Sequence, residues 1–230
     1  MSDVAVQVLK RVLLPVALLL GVMVALGLLV TKVLLHTWPL TAEDSVNREL
    51  ERDRTPEANA VSLVFSTLAS TPAIIAVTAL AALALRLTLK RWREPIFLCA
   101  AVTAQAIVFY LTTLAIDRRR PAVDHMDTSP PTSSFPSGHT SASVALYIGL
   151  ALVLSLLVRR TGLKAACWLL VLVPVGVALT RMYRGMHHPS DVVASFLNGG
   201  VCVWVMARAF LDRGVRWARQ HTPARRLAHR

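Results

Sequence analysis

Charge is scarce along most of this chain. Only 17% of its 230 residues are charged, and they crowd into short connections between long apolar runs. A soluble domain of this size carries about 25% charged residues, so a water-soluble globular domain is excluded. Cysteine is scarce too: Cys99, Cys167 and Cys202 all lie in apolar runs and form no C-x-x-C pair, which excludes a disulfide framework or a thiolate metal site. There is no glycine-rich nucleotide loop, internal repeat or low-complexity linker. The first apolar run, "VLLPVALLLGVMVALGLLV", is too long for a signal peptide, and no small-x-small cleavage site follows it. It reads as an uncleaved first span.

The chain is 55% hydrophobic with a positive mean hydropathy. Its apolar runs, at about 12–36, 61–87, 95–116, 140–158, 163–183 and 190–211, reach the roughly 20 residues that cross a bilayer. The expected fold is all-α: a polytopic six-transmembrane-helix bundle, one integral membrane domain over 1–230, with no room for a separate soluble domain. Small residues in "VTALAALALRL" and "LNGGVCVWVMA" suit close helix packing in lipid.

The net charge of +12 is distributed by side. Lys10 and Arg11, the connections "RLTLKRWRE" and "RRTGLK", and the tail 212–230 are basic, whereas the first connection, "TAEDSVNRELERDRTPEANA", is net acidic. This alternation is that of the positive-inside rule for an even number of spans. It places both termini in the cytoplasm, with the third connection extracytoplasmic and the bacterial-type inner (plasma) membrane as the location. A basic tail beside a membrane suits anionic headgroups better than nucleic acid, and no nucleic-acid partner is expected. The acidic stretch 41–54 reads as a short helix on the membrane surface with a solvated charged face.

The third connection runs directly into an apolar span through "SSFPSGHTSAS" (133–143), and the fifth span emerges at "TRMYRGMHHPSD" (180–191). His139 and Arg181 are separated by the length of two antiparallel spans, so both clusters surface at one membrane face. That face collects Arg118, Arg119, Arg120, Ser137, Gly138, His139, Arg181, Arg184, His187 and Asp191. Arginines present planar forks to phosphate oxygens, and Gly138 opens a helix N-terminus whose free N–H groups favour an anion. Two histidines allow one nucleophile or base and one acid. Asp191, four residues beyond His187, can orient an imidazole if that stretch is helical. The combination suits phosphoryl transfer, where positioning and charge stabilisation do most of the catalysis.

The ordered set Arg120-Pro121, Pro136-Ser137-Gly138-His139 and Arg181-x5-His187-x3-Asp191 resembles the signature of the type 2 phosphatidic acid phosphatase family, membrane lipid phosphatases related to vanadium haloperoxidases. The motifs cover about 113–191, and the six-span layout extends the likeness over most of the chain. The resemblance implies that His187 is the nucleophile that forms a phosphohistidine, with Asp191 holding its other ring nitrogen. His139 is then the general acid and base, and Arg120, Ser137, Gly138 and Arg181 bind phosphate. It implies no metal and no cofactor, and a partner that is a lipid phosphate in the outer leaflet: phosphatidic acid, phosphatidylglycerol phosphate or a polyprenyl diphosphate. It says nothing of oligomeric state.

Two positions depart from the family pattern. Thr113 stands where the family has a lysine, and Arg118 or Arg119 is the candidate replacement for its charge; Thr180 stands where serine is usual. Other polar residues have plainer readings. His188 reads as interfacial, "DHMD" (124–127) as a solvated loop rather than a metal site, and Arg184 as either a substrate contact or a rim charge. Beside the phosphatase stand a catalytically impaired member or scaffold with the same fold, and a transporter; the concentration of charge at one face argues against the transporter.

Overall fold

The computed structural model of the protein describes residues 3–128 and 132–212, so most of the basic tail lies outside the described residues. Eight helices follow in order: α1 Ala5–Val33, α2 Glu43–Arg52, α3 Pro56–Leu68, α4 Thr71–Leu89, α5 Arg93–Ala115, α6 Gly138–Leu157, α7 Thr161–Tyr183 and α8 Pro189–Leu211. No strand occurs among the described residues. Six of the helices, α1 and α4 to α8, are long and apolar enough to cross a membrane. At 1.5 Å per residue a helix of 23 residues such as α5 is about 35 Å long, against a hydrocarbon core of about 30 Å.

The run at 61–87 is not one span. Its apolar character is continuous, but Pro72 in the first turn of α4 has no N–H and a ring that collides with the preceding turn. The helix therefore ends at Leu68, Ser70 takes an extended backbone, and a new helix begins at Thr71. The separated α3 is capped by Thr55, whose hydroxyl accepts from the Ala58 amide at 3.2 Å, and Pro56 occupies its first turn. At 13 residues it is too short to span, and it packs on α7, where Gly176 makes room for the Phe65 ring.

The bundle centre is built from α5, α6 and α8. Phe97, Leu98 and Ala101 of α5, Ala145 and Leu146 of α6, and Cys202, Val205 and Met206 of α8 are buried together. A Cβ on Gly199 would lie 2.6 Å from the Ser141 carbonyl oxygen, so α8 meets α6 at backbone distance only because the position is glycine. Polar groups in this interior are paired: Ser141 Oγ donates to Gln105 Oε1 at 2.9 Å, and Asn198 Nδ2 to the Gln105 carbonyl at 3.2 Å. The outer faces carry the opposite pattern. Leu14, Leu18, Leu80, Leu87, Leu169 and Leu172 point outward with no protein cover, as a lipid-facing surface requires. Helix alternation brings residues 116–128, 132–137 and 184–188 to one end of the bundle, under α2 and α3.

Candidate active site

The N-terminus of α6 forms one wall of the site. Ser137 has an extended backbone and caps the helix: its hydroxyl accepts from the Thr140 amide at 3.4 Å and from Thr140 Oγ1 at 3.0 Å, which leaves its own proton to donate. A Cβ on Gly138 would sit 2.7 Å from the Phe109 ring, so only glycine allows this helix start to press on α5. The Ser137 amide donates to Ser195 Oγ at 2.7 Å, and that hydroxyl donates to the Asp191 carbonyl at 2.7 Å. The beginnings of α6 and α8 are thereby stitched together. His139, in the first turn of α6, lies within electrostatic reach of Arg181, His187, Asp127 and Arg120. The two histidines and two arginines expected at the site do converge.

His187 is buried in the loop between α7 and α8, and its Nδ1 lies 2.7 Å from the Ser134 carbonyl oxygen. A carbonyl only accepts, so Nδ1 carries the proton and Nε2 presents a lone pair. The expectation that Asp191 holds this nitrogen is corrected: its carboxylate is 3.8 Å away, beyond a hydrogen bond. Asp191 instead caps α8, accepting from the His188 amide at 2.9 Å, and pairs with Arg118. It is fully buried and acts on His187 by charge and by fixing the loop.

Burial pushes the His187 imidazole down from 6.5 to about 4, and the pull of Asp191 only partly offsets it. The unfolded chain therefore takes up a proton here as pH falls below about 6.5, while the folded chain refuses it until about 4. Stability is fully present above that window and declines across it as pH falls. Thermal midpoints in detergent between pH 7 and 4.5 should fall more steeply for the parent than for His187→Gln.

The arginines divide by environment. Arg120, half-buried, donates from Nη1 to the Met186 carbonyl at 2.7 Å. Burial lowers its pKa while Asp191 opposes that shift. Arg181 is buried, donating from Nη1 to Ser66 Oγ at 2.9 Å and to Asp127 Oδ2 at 2.5 Å, while its Nε is buried with no partner among the described residues. Arg184 is buried as well and binds the same carboxylate, from Nη2 at 2.6 Å and from Nε at 3.0 Å. Burial alone would raise the Asp127 carboxyl, but the two guanidiniums outweigh it and hold it at about 2. Asp127 is therefore not a solvated loop residue, and Arg184 is not a rim charge.

Arg118 is not part of a phosphate cradle. It is buried and donates to Asp191, to Glu43 Oε2 at 2.7 Å and to Ser190 Oγ at 2.8 Å. Nor does Thr113 reach the site, since its hydroxyl donates to the Tyr110 carbonyl of its own helix at 2.7 Å. Arg119 is exposed and lines, with Arg120, Asp117, Asp44 and His188, a cleft of about 450 Å³ between the end of α1 and the site. His188 sits over α8 with Nε2 3.4 Å from Asp44. Among the described residues no three His, Cys, Asp or Glu side chains converge as a metal site needs.

Ser134, Ser195, Glu43 and Asn47 have no role in the motifs, and Asp127 belongs to a loop expected to be solvated. Ser134 acts through its carbonyl, which leaves no trace in residue type. Ser195 had a visible signal, a hydroxyl four residues after Asp191 on one helix face.

With these positions fixed, the chain belongs to the PAP2 superfamily, whose family model matches residues 96–214. Among solved structures it is similar to the first transmembrane PAP2 type phosphatidylglycerolphosphate phosphatase from Bacillus subtilis, with a TM-score of 0.72 and 18% identity over 88% of this chain and 98% of that one. It is also similar to LpxE of Aquifex aeolicus, with a TM-score of 0.56 and 21% identity over 71% of this chain and 93% of that one. At such identities the likeness is one of fold. No curated protein matches the chain. The protein is thus a multi-pass membrane member of a phosphatase superfamily.

Proposed function

We propose that this protein hydrolyses the phosphate monoester or diphosphate of a membrane lipid, without a metal, through a phosphohistidine. The observation that carries the reading is the setting of His187: its Nδ1 lies against the Ser134 carbonyl, which leaves Nε2 as the nitrogen with a lone pair, and Arg120 and Arg181 lie within electrostatic reach of the ring. Nε2 attacks phosphorus, and the bond to the leaving lipid oxygen breaks as His139 supplies its proton. His139 then takes a proton from water, the hydroxide displaces the histidine, and inorganic phosphate leaves. Arg120, the unpartnered Nε of Arg181, the Ser137 hydroxyl and the Gly138 amide hold the phosphoryl oxygens. Asp191 fixes the loop that carries the nucleophile.

The substrate's chains stay in the bilayer while its headgroup enters from the end of the bundle. The charge alternation supports an extracytoplasmic site and an outer-leaflet substrate in the plasma membrane. The likeness extends over 98% and 93% of the two solved neighbours' own chains, and one of them is a phosphatidylglycerolphosphate phosphatase, which supports a lipid phosphate as the substrate class.

The test is phosphate release by the purified protein in excess EDTA, with phosphatidic acid, phosphatidylglycerol phosphate and a polyprenyl diphosphate offered in parallel. Release undiminished by EDTA is the expected result, and the fastest of the three names the headgroup. Release abolished by EDTA and restored by magnesium would overturn the mechanism.

A further inference from the structure

Helix α2 lies outside the region matched by the family model, yet it reaches the nucleophile. Its residues Glu43, Asn47 and Glu51 fall at four-residue spacing, on one face. Glu43 and Asn47 are buried, with Asn47 only 1% exposed, although a ten-residue helix this polar would be expected to sit in solvent. Buried polar groups need partners, and here they are the Arg118 guanidinium, on Glu43, and the backbone at and around the loop that carries His187. Asn47 Nδ2 donates to the His187 carbonyl at 3.1 Å and to the Met182 carbonyl at 3.2 Å. Glu43 Oε1 accepts from the Ser190 amide at 2.6 Å. Further along the face, Glu51 accepts from the Asp124 amide at 2.7 Å.

The His187 backbone has one other anchor, its own amide bonded to the Arg181 carbonyl at 3.3 Å. Among the described residues, Asn47 is thus the single side chain that ties the nucleophile's main chain to an element other than α7. The contact is not explained by stability alone. Asn47 Oδ1 is buried with no partner among the described residues, and an unsatisfied buried acceptor works against folding. A site that accepts this cost gains the two directed donors on the opposite side of the amide.

Resting on the phosphatase reading above, we propose that Asn47 is a positioning residue: it fixes the His187 backbone so that Nε2 lies in line with the phosphoryl group. A displacement of about 1 Å at a reacting centre costs on the order of a hundredfold in rate. Arg181 is anchored elsewhere, through Ser66 and Asp127, and only Arg120 rests on the nucleophile's loop, at the Met186 carbonyl, so binding of the phosphate anion is largely spared.

The experiment compares Asn47→Leu with the parent, using the fastest of the three lipids and two inorganic inhibitors. Orthovanadate reads the aim of the nitrogen, because it becomes five-coordinate only when Nε2 bonds it. Inorganic phosphate reads the arginine cradle alone. Loss of aim lowers kcat by roughly 10- to 100-fold with KM within about twofold, weakens orthovanadate by a similar factor and changes phosphate inhibition by no more than about twofold. Asn47→Ser, small enough to admit a water, serves if the leucine variant does not fold. Glu49→Ala, on the exposed side of the same helix, should keep parent-like orthovanadate inhibition. Unchanged kcat and orthovanadate inhibition in the Asn47 variants would overturn the proposal. So would orthovanadate and phosphate weakening together with a lowered thermal midpoint, since α2 would then merely hold the fold. A parent that releases no phosphate and binds neither anion would sink the phosphatase reading itself, and this one with it.

Discussion

His187→Ala lowers kcat by at least roughly a thousandfold, about 4 kcal/mol of transition-state stabilisation. The buried imidazole is the one group in the site that combines a free nitrogen lone pair with a fixed tautomer, and no neighbouring side chain can replace it. His139→Ala has a different signature, because its proton is needed only where the leaving oxygen is basic. With a lipid substrate it costs about 10²–10⁴-fold. With p-nitrophenyl phosphate, whose leaving group departs unprotonated, the first step proceeds and the second stalls for want of a base. An acid-labile, alkali-stable phosphoprotein then accumulates in His139→Ala and is absent from the double variant with His187→Ala. Equal behaviour of the two single variants on both substrates would remove the division of labour between the histidines.

The spans and the convergence of the histidines were legible because both depend on chain length and residue type. A run of apolar residues commits to the bilayer wherever it falls, and two antiparallel spans return His139 and Arg181 to the same face. Breaks and pairings were harder to read. Hydropathy passes smoothly through 61–87, and only Pro72, a single residue among many apolar ones, divides α3 from α4. In "DRRRP" all three arginines look alike, yet Arg118 goes into the protein, Arg119 to solvent and Arg120 to the site edge. The partner of His187 was illegible for a more basic reason: it is a carbonyl oxygen, which every residue possesses. Asp191 was the visible carboxylate at the right spacing, but the backbone ahead of α8 is extended at His188, so the four-residue helical relation does not hold from His187. The burial of Glu43 and Asn47 went against the general rule that a charged surface helix faces water. Nothing local marks the exception; it exists because the loops they clasp come from residues 118–190.

Arg118→Leu destabilises the fold by about 3–5 kcal/mol, because it strands two buried carboxylates at once. Glu43 and Asp191 are 7% and 0% exposed, and the guanidinium between them bonds both. The thermal midpoint in detergent should fall by roughly 10 °C or more. Arg118→Lys recovers only part of this loss, since one ammonium cannot reproduce a fork that serves Glu43, Ser190 and Asp191 together. This outcome separates two roles open to the same residue. An arginine that grips substrate phosphate would, on removal, raise KM and weaken inorganic phosphate while leaving the midpoint in place. The buried triad requires the reverse: a large drop in midpoint, with KM near that of the parent at temperatures where the variant stays folded. Because Asp191 also caps α8 through the His188 amide, the uncompensated carboxylate would pull on the nucleophile loop, and kcat should fall with the midpoint. A raised KM on an unchanged midpoint would return Arg118 to the phosphate cradle.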